Sequence, residues 1–235
     1  MSLLTIIQNV CAELSVQIPG LVAANPDPTV MQLKQLSQRA AYALARDHDW
    51  SDLVVRRSFT ATGVIPEPAE PPADWERFID NGAIWNNSRL WQLNGPVDAQ
   101  AWQRNVIINS NPVPQIWRML GGKLAFYPNN IGETLSYEYI SNAWVVVNGG
   151  STYATTWAND ADTVRGFSES LLELSLMWRW KRAKGLDYAE EMDNFERAKE
   201  SEIGSDRAST AFSLSKTNRG NVPDNYWPGI VTVNP

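Results

Sequence analysis

Apolar positions recur at helical spacing near both ends of the described pattern and at strand spacing between them. Leu3, Ile7, Val10 and Leu14 fall on one stripe, widened by Leu4 and Cys11, with Ser2 placed to cap it; a first helix is predicted, stopping before Pro19-Gly20. The second helix has a stronger start. Asp27 stands at the N-cap and Pro28 at the first helical position, ahead of Val30, Leu33, Ser37, Ala40 and Leu44, and the pattern reaches roughly to His48. From Leu53 the period becomes two, with Leu53, Val55, Arg57 and Phe59 on one side and Val54, Arg56, Ser58 and Thr60 on the other.

The proline-rich segment 64–75, VIPEPAEPPADW, suits neither a helix nor a central strand and reads as an extended surface connection, or as an arm across a neighbour. Residues 78–93 read as strand and loop, and residues 97–105 as a short helix. IWRML and KLAFYP flank Gly121-Gly122, a hairpin signal, because glycine supplies positive φ without steric cost. Leu135, Tyr137 and Tyr139 alternate with Ser136 and Glu138, and WVVV before Asn148-Gly149-Gly150 adds another strand. The middle of the chain is therefore predicted to be a small antiparallel β domain.

Helical spacing returns at about Asp162 or Thr163 and holds to about Ile203, broken by a turn at Gly185. Phe167, Leu171, Leu174 and Trp178 form one stripe and Leu172, Leu176 and Trp180 a second. Both flanks of this helix must be buried. One flank packs on the first two helices; the other needs either the β domain or another subunit, and the residues leave that choice open. Arg179, Lys181, Arg182 and Lys184 crowd its last turns, where each cation meets the negative end of the macrodipole, worth roughly 0.3 to 1 kcal/mol. Contact with DNA or a partner is the competing use of these four. Gly185 suits a left-handed closing residue, and Asp187 with Glu190 opens a following antiparallel helix whose stripe is Tyr188, Met192, Phe195 and Lys199. After Gly204 the chain turns polar and ends in an apolar, aromatic hook.

These elements give an α+β fold: a helical bundle from residues 1–50 and 162–204, an inserted antiparallel β domain over 51–161 with the proline-rich arm 64–75, and an extended C-terminal arm over 205–235. Leu172, Leu176, Trp180, Phe212, Tyr226 and Trp227 are the candidate subunit or partner interface.

Composition narrows the chemistry. One cysteine and one histidine exclude a disulfide framework and a Cys/His zinc cage within the chain. A net charge of -6 argues against a protein that coats nucleic acid, since such binding releases counterions from a basic surface. The opening MSLLTIIQNVCAEL has no cationic lead and is interrupted by Gln8 and Asn9, so neither a signal peptide nor a membrane span is expected. No phosphate loop, nucleophile elbow, metalloprotease motif or dinucleotide fingerprint occurs. His48, between Asp47 and Asp49, is better placed to close a helix than to act as a catalytic base. Asp160 and Asp162 are hard oxygen ligands in type, but ending a loop and capping a helix accounts for them. No cofactor or metal is expected. The eleven tryptophans are spread from Trp50 to Trp227, and Trp85, Trp91 and Trp102 would be the platform of a competing glycan-binding or glycan-hydrolysing module.

DPTV at residues 27–30, RDHDWSDL at 46–53, WQLNGP at 91–96 and above all LMWRWKRAKGLDYAE at 176–190 resemble the head-to-tail adaptor, or connector, proteins of short-tailed bacteriophages. The likeness runs from about Ser2 to Glu202. It implies a non-enzymatic virion protein at the head-tail junction, made in the cytoplasm of the bacterial host, forming a homo-oligomeric ring of about twelve copies. It further implies contact with the portal protein and with tail nozzle or tail fibre proteins, and passage of double-stranded DNA through the lumen without sequence-specific binding. Such a protein has no membrane partner. A helical bundle around the channel and a β domain projecting outward are the implied architecture.

Overall fold

In the computed structural model the described residues are 1–80, 82–108, 112 and 114–210. Helix α1 (Leu3–Glu13) starts as expected, with Ser2 Oγ accepting from Thr5 N at 3.3 Å. Two more N–H groups of its first turn leave the helix: Leu3 N donates to Asp162 O at 2.7 Å and Leu4 N to Asp160 O at 3.1 Å. Helix α2 (Pro28–Asp47) is capped by Asp27, whose Oδ1 accepts from Thr29 N at 2.7 Å and Val30 N at 3.3 Å. Its small buried residues Ser37, Ala40 and Ala41 leave room for α4 (Glu169–Ala183), which packs against α1, α2 and α5 (Ala189–Thr210).

Two boundaries differ from the sequence pattern. The helix expected from residue 162 or 163 begins at Glu169, with Ser168 Oγ accepting from Leu171 N at 3.2 Å; Thr163–Val164 is instead a short strand, β10. Gly166, at φ +98°, separates the two, and a Cβ there would sit 2.8 Å from Leu53 Cγ. Phe167 therefore joins the core from outside the helix. At the other end α5 continues through Gly204 to Thr210, so residues 205–210 are helical rather than part of an arm. A mid-helix glycine costs up to about 1 kcal/mol. Asp206, two residues further on, offsets it by binding Ser51 and His48.

The middle of the chain is antiparallel. Strands β1 (Val54–Thr60), β2 (Trp75–Phe78), β3 (Trp85–Asn86), β4 (Trp91–Gln92) and β7 (Thr134–Ser141) form one sheet in the order β1-β7-β3-β4, with β2 also pairing β7. Helix α3 (Ala99–Ile107) lies two residues later than the pattern placed it. The glycine pair joins β5 (Ile116–Leu120) to β6 (Lys123–Tyr127) as predicted. Strands β8 (Val145–Val146) and β9 (Tyr153–Ala154) complete a three-stranded sheet with β10. The register Val54↔Ile140 to Thr60↔Thr134 puts Val55, Phe59, Leu135, Tyr137 and Tyr139 in one core with Trp117, Leu124 and Phe126. Ile140, Trp144, Val145 and Trp157 belong instead to the bundle core, so the end of β7 ties the two together.

The proline-rich segment is more tightly held than a surface connection. Glu67 N donates to Leu124 O at 2.8 Å and Leu124 N to Glu70 O at 3.0 Å, so the segment runs along β6 of its own chain. Prolines have no N–H to lose, and the intervening glutamates make the contacts. The Glu67 carboxylate, buried, accepts from Thr62 N and Asn129 Nδ2 at 3.2 Å; that of Glu70, also buried, accepts from Arg57 Nε at 2.9 Å and Tyr137 Oη at 2.6 Å. Those contacts place the described segment on its own β domain.

The WQLNGP stretch also acquires a physical reason. Gly95, at φ +152°, lets Trp117 approach so closely that a Cβ would lie 2.5 Å from Trp117 O and 2.8 Å from its ring. Gly95→Ala is expected to lower unfolding free energy by roughly 2 to 4 kcal/mol, combining backbone strain with overpacking. Chemical denaturation monitored by tryptophan fluorescence checks this; an unchanged midpoint would refute the close-approach argument.

Candidate interaction surfaces

The cationic end of α4 is built by a local turn motif. Gly185 N donates to Arg182 O at 3.2 Å and Leu186 N to Lys181 O at 3.0 Å, with Gly185 at φ +71°. Asp187 Oδ1 then accepts from Ala189 N at 3.1 Å and starts α5. Within this frame Arg179 donates to Ser175 Oγ at 3.2 Å and lies 4.6 Å over the Trp178 ring. Burial, reinforced by the nearby charge of Arg182, lowers its pKa from the ordinary arginine value. Lys181 pairs with Glu191 of α5. Lys184 reaches Gln32 of α2 at 2.9 Å and covers Trp180 at 4.4 Å. Lys181 and Lys184 thus hold the end of α4 to its neighbours, Arg179 folds back on its own helix, and Arg182 remains exposed, with no ion pair among the described residues.

The apolar candidates on α4 need a correction. Leu172, Leu176 and Trp180 are 0%, 0% and 4% exposed in the single subunit, and Trp178 is 7% exposed. Both flanks of α4 are consumed inside the chain: α1 and α2 cover one and α5 the other. The second partner that the sequence left open is α5; the rings of its Phe195 and of Tyr188, just before it, stand about 6 Å from Trp178. These residues offer no surface to another subunit while the bundle is folded. Phe212, Tyr226 and Trp227 lie outside the described residues.

The suspected polar residues are likewise structural. His48 Nε2 is 3.0 Å from Asp206 Oδ2, and its ring stands edge-on to Trp50 at 4.9 Å. Asp206 also accepts from Ser51 Oγ at 2.6 Å, while Lys199 pairs with Asp47 at 3.1 Å and Glu202 accepts from Ser168 N and Oγ at 2.5 and 2.7 Å. Asp160 Oδ1 accepts from Val22 N and Ala23 N at 2.9 and 2.6 Å. Asp162, fully buried, accepts from Asn148 N at 3.0 Å, Ala158 N at 2.8 Å and Asn159 N at 2.7 Å. Burial alone would raise its pKa; the hydrogen bonds from Asn159, Ala158 and Asn148 outweigh that and hold it below the ordinary carboxylate value. Among the described residues no group of three or more His, Cys, Asp or Glu side chains is arranged to hold a metal ion.

A cleft of about 740 Å³ between the ends of α2 and α5 and strand β2 is lined by Asp47, His48, Asp49, Arg77, Asp80 and Asp206. Within it Asp47 pairs with Lys199, His48 with Asp206 and Asp49 with Arg77 at 2.5 Å, and Asp49 also accepts from Asp80 N at 3.1 Å. The three tryptophans proposed as a glycan platform do not share a surface. Trp102 is buried against Tyr127. In the β3–β4 pair Trp85 faces Gln92 and Trp91 faces Asn86, and successive residues of a strand alternate faces, so the two rings point to opposite sides of the sheet.

A buried polar network in the β domain gave little signal in the sequence. Asn86 Nδ2 donates to Gln115 Oε1 and to Glu133 Oε2, both at 2.7 Å; Gln115 Nε2 donates to Glu133 Oε2 at 3.0 Å and to Pro128 O at 2.9 Å. Arg89 and Asn130 complete the coordination of Glu133. Burial would raise the Glu133 pKa, but Arg89 and Asn86 together bring it below the usual value. Each of the three residues merely borders a short apolar run, which is why only the folded register brings them together.

No helix among the described residues is long and apolar enough to cross a membrane. A family model described as SU10 adaptor protein matches residues 1–222. No curated protein matches the chain.

The carboxylates of Asp162 and Glu133 generate a pH prediction. Their folded pKa values lie below the unfolded ones, so the stability they add is present above the ordinary carboxylate range and is lost as pH falls through the folded values. Asp162→Ala leaves three part-buried N–H groups without their acceptor and should cost about 1 to 3 kcal/mol at neutral pH, with a smaller loss at acid pH where the native carboxyl is protonated. Urea titrations at neutral and acid pH check both; an equal loss at both would contradict the assignment.

Proposed function

The chain belongs to the SU10 adaptor protein family, a family of phage head-tail adaptors, and from that premise we propose that it forms a ring joining the portal to the tail. The observation that carries this reading is the family match over residues 1–222, which takes in the bundle and the whole β domain. In this role the protein acts by interface formation rather than by chemistry. Copies close head to tail into a ring of about twelve, each presenting two different faces, because an isologous contact would stop at a dimer. The ring extends the DNA channel below the portal and offers its outer side to tail nozzle or fibre proteins.

The structure's own chemistry is consistent with a rigid building block. Its buried carboxylates are engaged in hydrogen bonds that fix loops and helix ends, as Glu67, Glu70, Glu133 and Asp162 illustrate. The net charge of -6 suits a conduit along which DNA slides without adhering. Arg182, left exposed while Lys181 and Lys184 contact neighbouring helices, is the cation of the cluster available to the channel or to a partner. With the apolar flanks of α4 covered within the subunit, the contacts between copies fall to the outer faces of the bundle and to residues 211–235, including Phe212, Tyr226 and Trp227.

Electron microscopy of the protein mixed with purified portal rings tests the reading. Added density of matching rotational symmetry on the tail side of the portal is expected; its absence would overturn the proposal. Removing residues 211–235 should leave the thermal midpoint of the subunit unchanged and weaken portal attachment by roughly tenfold or more, as expected for loss of one interface anchor. Sedimentation of the mixture reads the second quantity.

A further inference from the structure

Two clefts adjoin on one side of the molecule. The cleft that contains Asp206 and Arg207 of α5 shares Ile79 and Glu138 with a second, of about 590 Å³, lined by Arg56, Trp85, Asn87 and Leu90, so the two make one continuous groove. Strand register fixes what lies along it. Arg56 stands opposite Glu138 in the β1–β7 pair, and Ser136 stands opposite Trp85 in the β3–β7 pair. Opposed residues, and residues two apart on a strand, share a face, so these four side chains lie on the face turned away from the Leu135 and Tyr137 core. Glu138 is nearer the bundle, whose core β7 enters through Ile140; Ser136 and Trp85 lie one pleat further out.

The chemistry of the groove changes in order along its length. It starts at Asp206 and Arg207, near the end of α5. Asp80 in the first cleft and Glu138 in both follow, exposed carboxylates with no ion pair among the described residues. The far end is apolar, with Trp85 47% and Leu90 76% exposed. Residues 211–235 leave the fold at the near end, because α5 closes at Thr210, three residues after Arg207. Their sequence carries Lys216 and Arg219 first, a single acid at Asp224, and then Tyr226 and Trp227 ahead of an aliphatic run. Cations before aromatics is the order in which the groove offers carboxylates before an indole. Fully extended, 25 residues reach roughly 80 Å, so length does not limit the match.

We propose that this groove is the docking site of the chain's own residues 211–235 in the free subunit. Lys216 and Arg219 face Asp80 and Glu138, and Tyr226 with Trp227 packs on Trp85 and Leu90. Exposed ion pairs add little to such a contact; the aromatic surfaces supply most of the hold. Attachment at the mouth of the groove gives the segment an effective concentration there of roughly millimolar order, an advantage over any untethered occupant. The inference rests on the adaptor reading in one respect: the segment assigned there to contacts between copies is stored on its own subunit until a neighbour or the portal displaces it. Docked and released states are then close in free energy, so docking adds little to the unfolding free energy and is read from the segment's position rather than from the thermal midpoint.

The test replaces Leu90 in one sample and Arg56 in another with photoreactive benzoylphenylalanine and irradiates the dilute full-length subunit. Cross-links at monomer mass that map to residues 211–235 are expected from both positions. Their absence from either position, mapping to other residues, or appearance only at dimer mass refutes the docking. The double variant Tyr226→Ser, Trp227→Ser, outside the described residues, should keep the thermal midpoint and lower the cross-link yield by roughly tenfold. An unchanged yield refutes the docking as well. Portal rings separate this inference from the ring reading: if the unaltered chain does not bind them, the adaptor role fails while the cross-link within the free subunit still stands.

Discussion

Helix α4 has apolar residues on too many sides to be stable against a single neighbour, and the architecture of the bundle follows from covering it. Leu171, Leu172, Leu176, Trp178 and Trp180 are all buried, and each of α1, α2 and α5 takes a share of them. At about 25 cal/mol for each Å² of apolar surface removed from water, two tryptophans and three leucines supply several kcal/mol of the drive to assemble the four helices. Because α1 and α2 precede the β domain and α4 and α5 follow it, burial of α4 also closes the chain around its insertion. The cationic turn at Gly185 serves the same end, since it returns α5 antiparallel onto the face that α1 and α2 leave open.

A second constraint operates where the segments between helices and sheet carry carboxylates indoors. Asp162 collects two N–H donors from its own loop and a third from Asn148 in the β8–β9 turn, while its carbonyl and that of Asp160 receive the first N–H groups of α1. The loop before α4 therefore caps α1, and the two termini of the described bundle are linked through hydrogen bonds rather than through apolar contact alone. In the β domain Glu67, Glu70 and Glu133 do the equivalent for the strap and the distal loops. An unpaired buried carboxylate would be costly, so each such group selects one arrangement of its loop against alternatives that leave donors unmet.

Much of this was readable in the residues. Ser2, Asp27 with Pro28, and Gly121-Gly122 are local signals whose physics does not depend on distant parts of the chain, and the helices and hairpin they predict are present. The resemblance carried by LMWRWKRAKGLDYAE agrees with the family match over residues 1–222. Where the reading differed, the deciding contact was long-range. Helical spacing from residue 163 was real but was interrupted by Gly166, whose φ is set by the approach of Leu53. The extension of α5 past Gly204 depends on Asp206 finding Ser51 and His48, more than a hundred and fifty residues away in sequence. Periodicity showed that Leu172, Leu176 and Trp180 are buried, yet it carries no information on whether the covering surface is α5 or a second copy. Trp85 and Trp91 were separable only once the β3–β4 register assigned them to opposite faces.

The covering of α4 also changes what kind of interface the subunit brings to an assembly. Had α4 kept one flank bare, the folded monomer would expose a large apolar face, and association would be a continuation of folding. With α5 in place both flanks of α4 are covered among the described residues, and exposed apolar side chains such as Ile18, Met31 and Tyr42 in the N-terminal part, Leu186 and Met192 near α5, and the aliphatic loops of the β domain lie on separate elements. Scattered contacts of this kind bind weakly one at a time and strongly when a template presents several together, because the first contact raises the effective concentration of the next. For the ring proposed above, assembly of an already folded chain on a template follows from that arithmetic more directly than an obligate oligomer does.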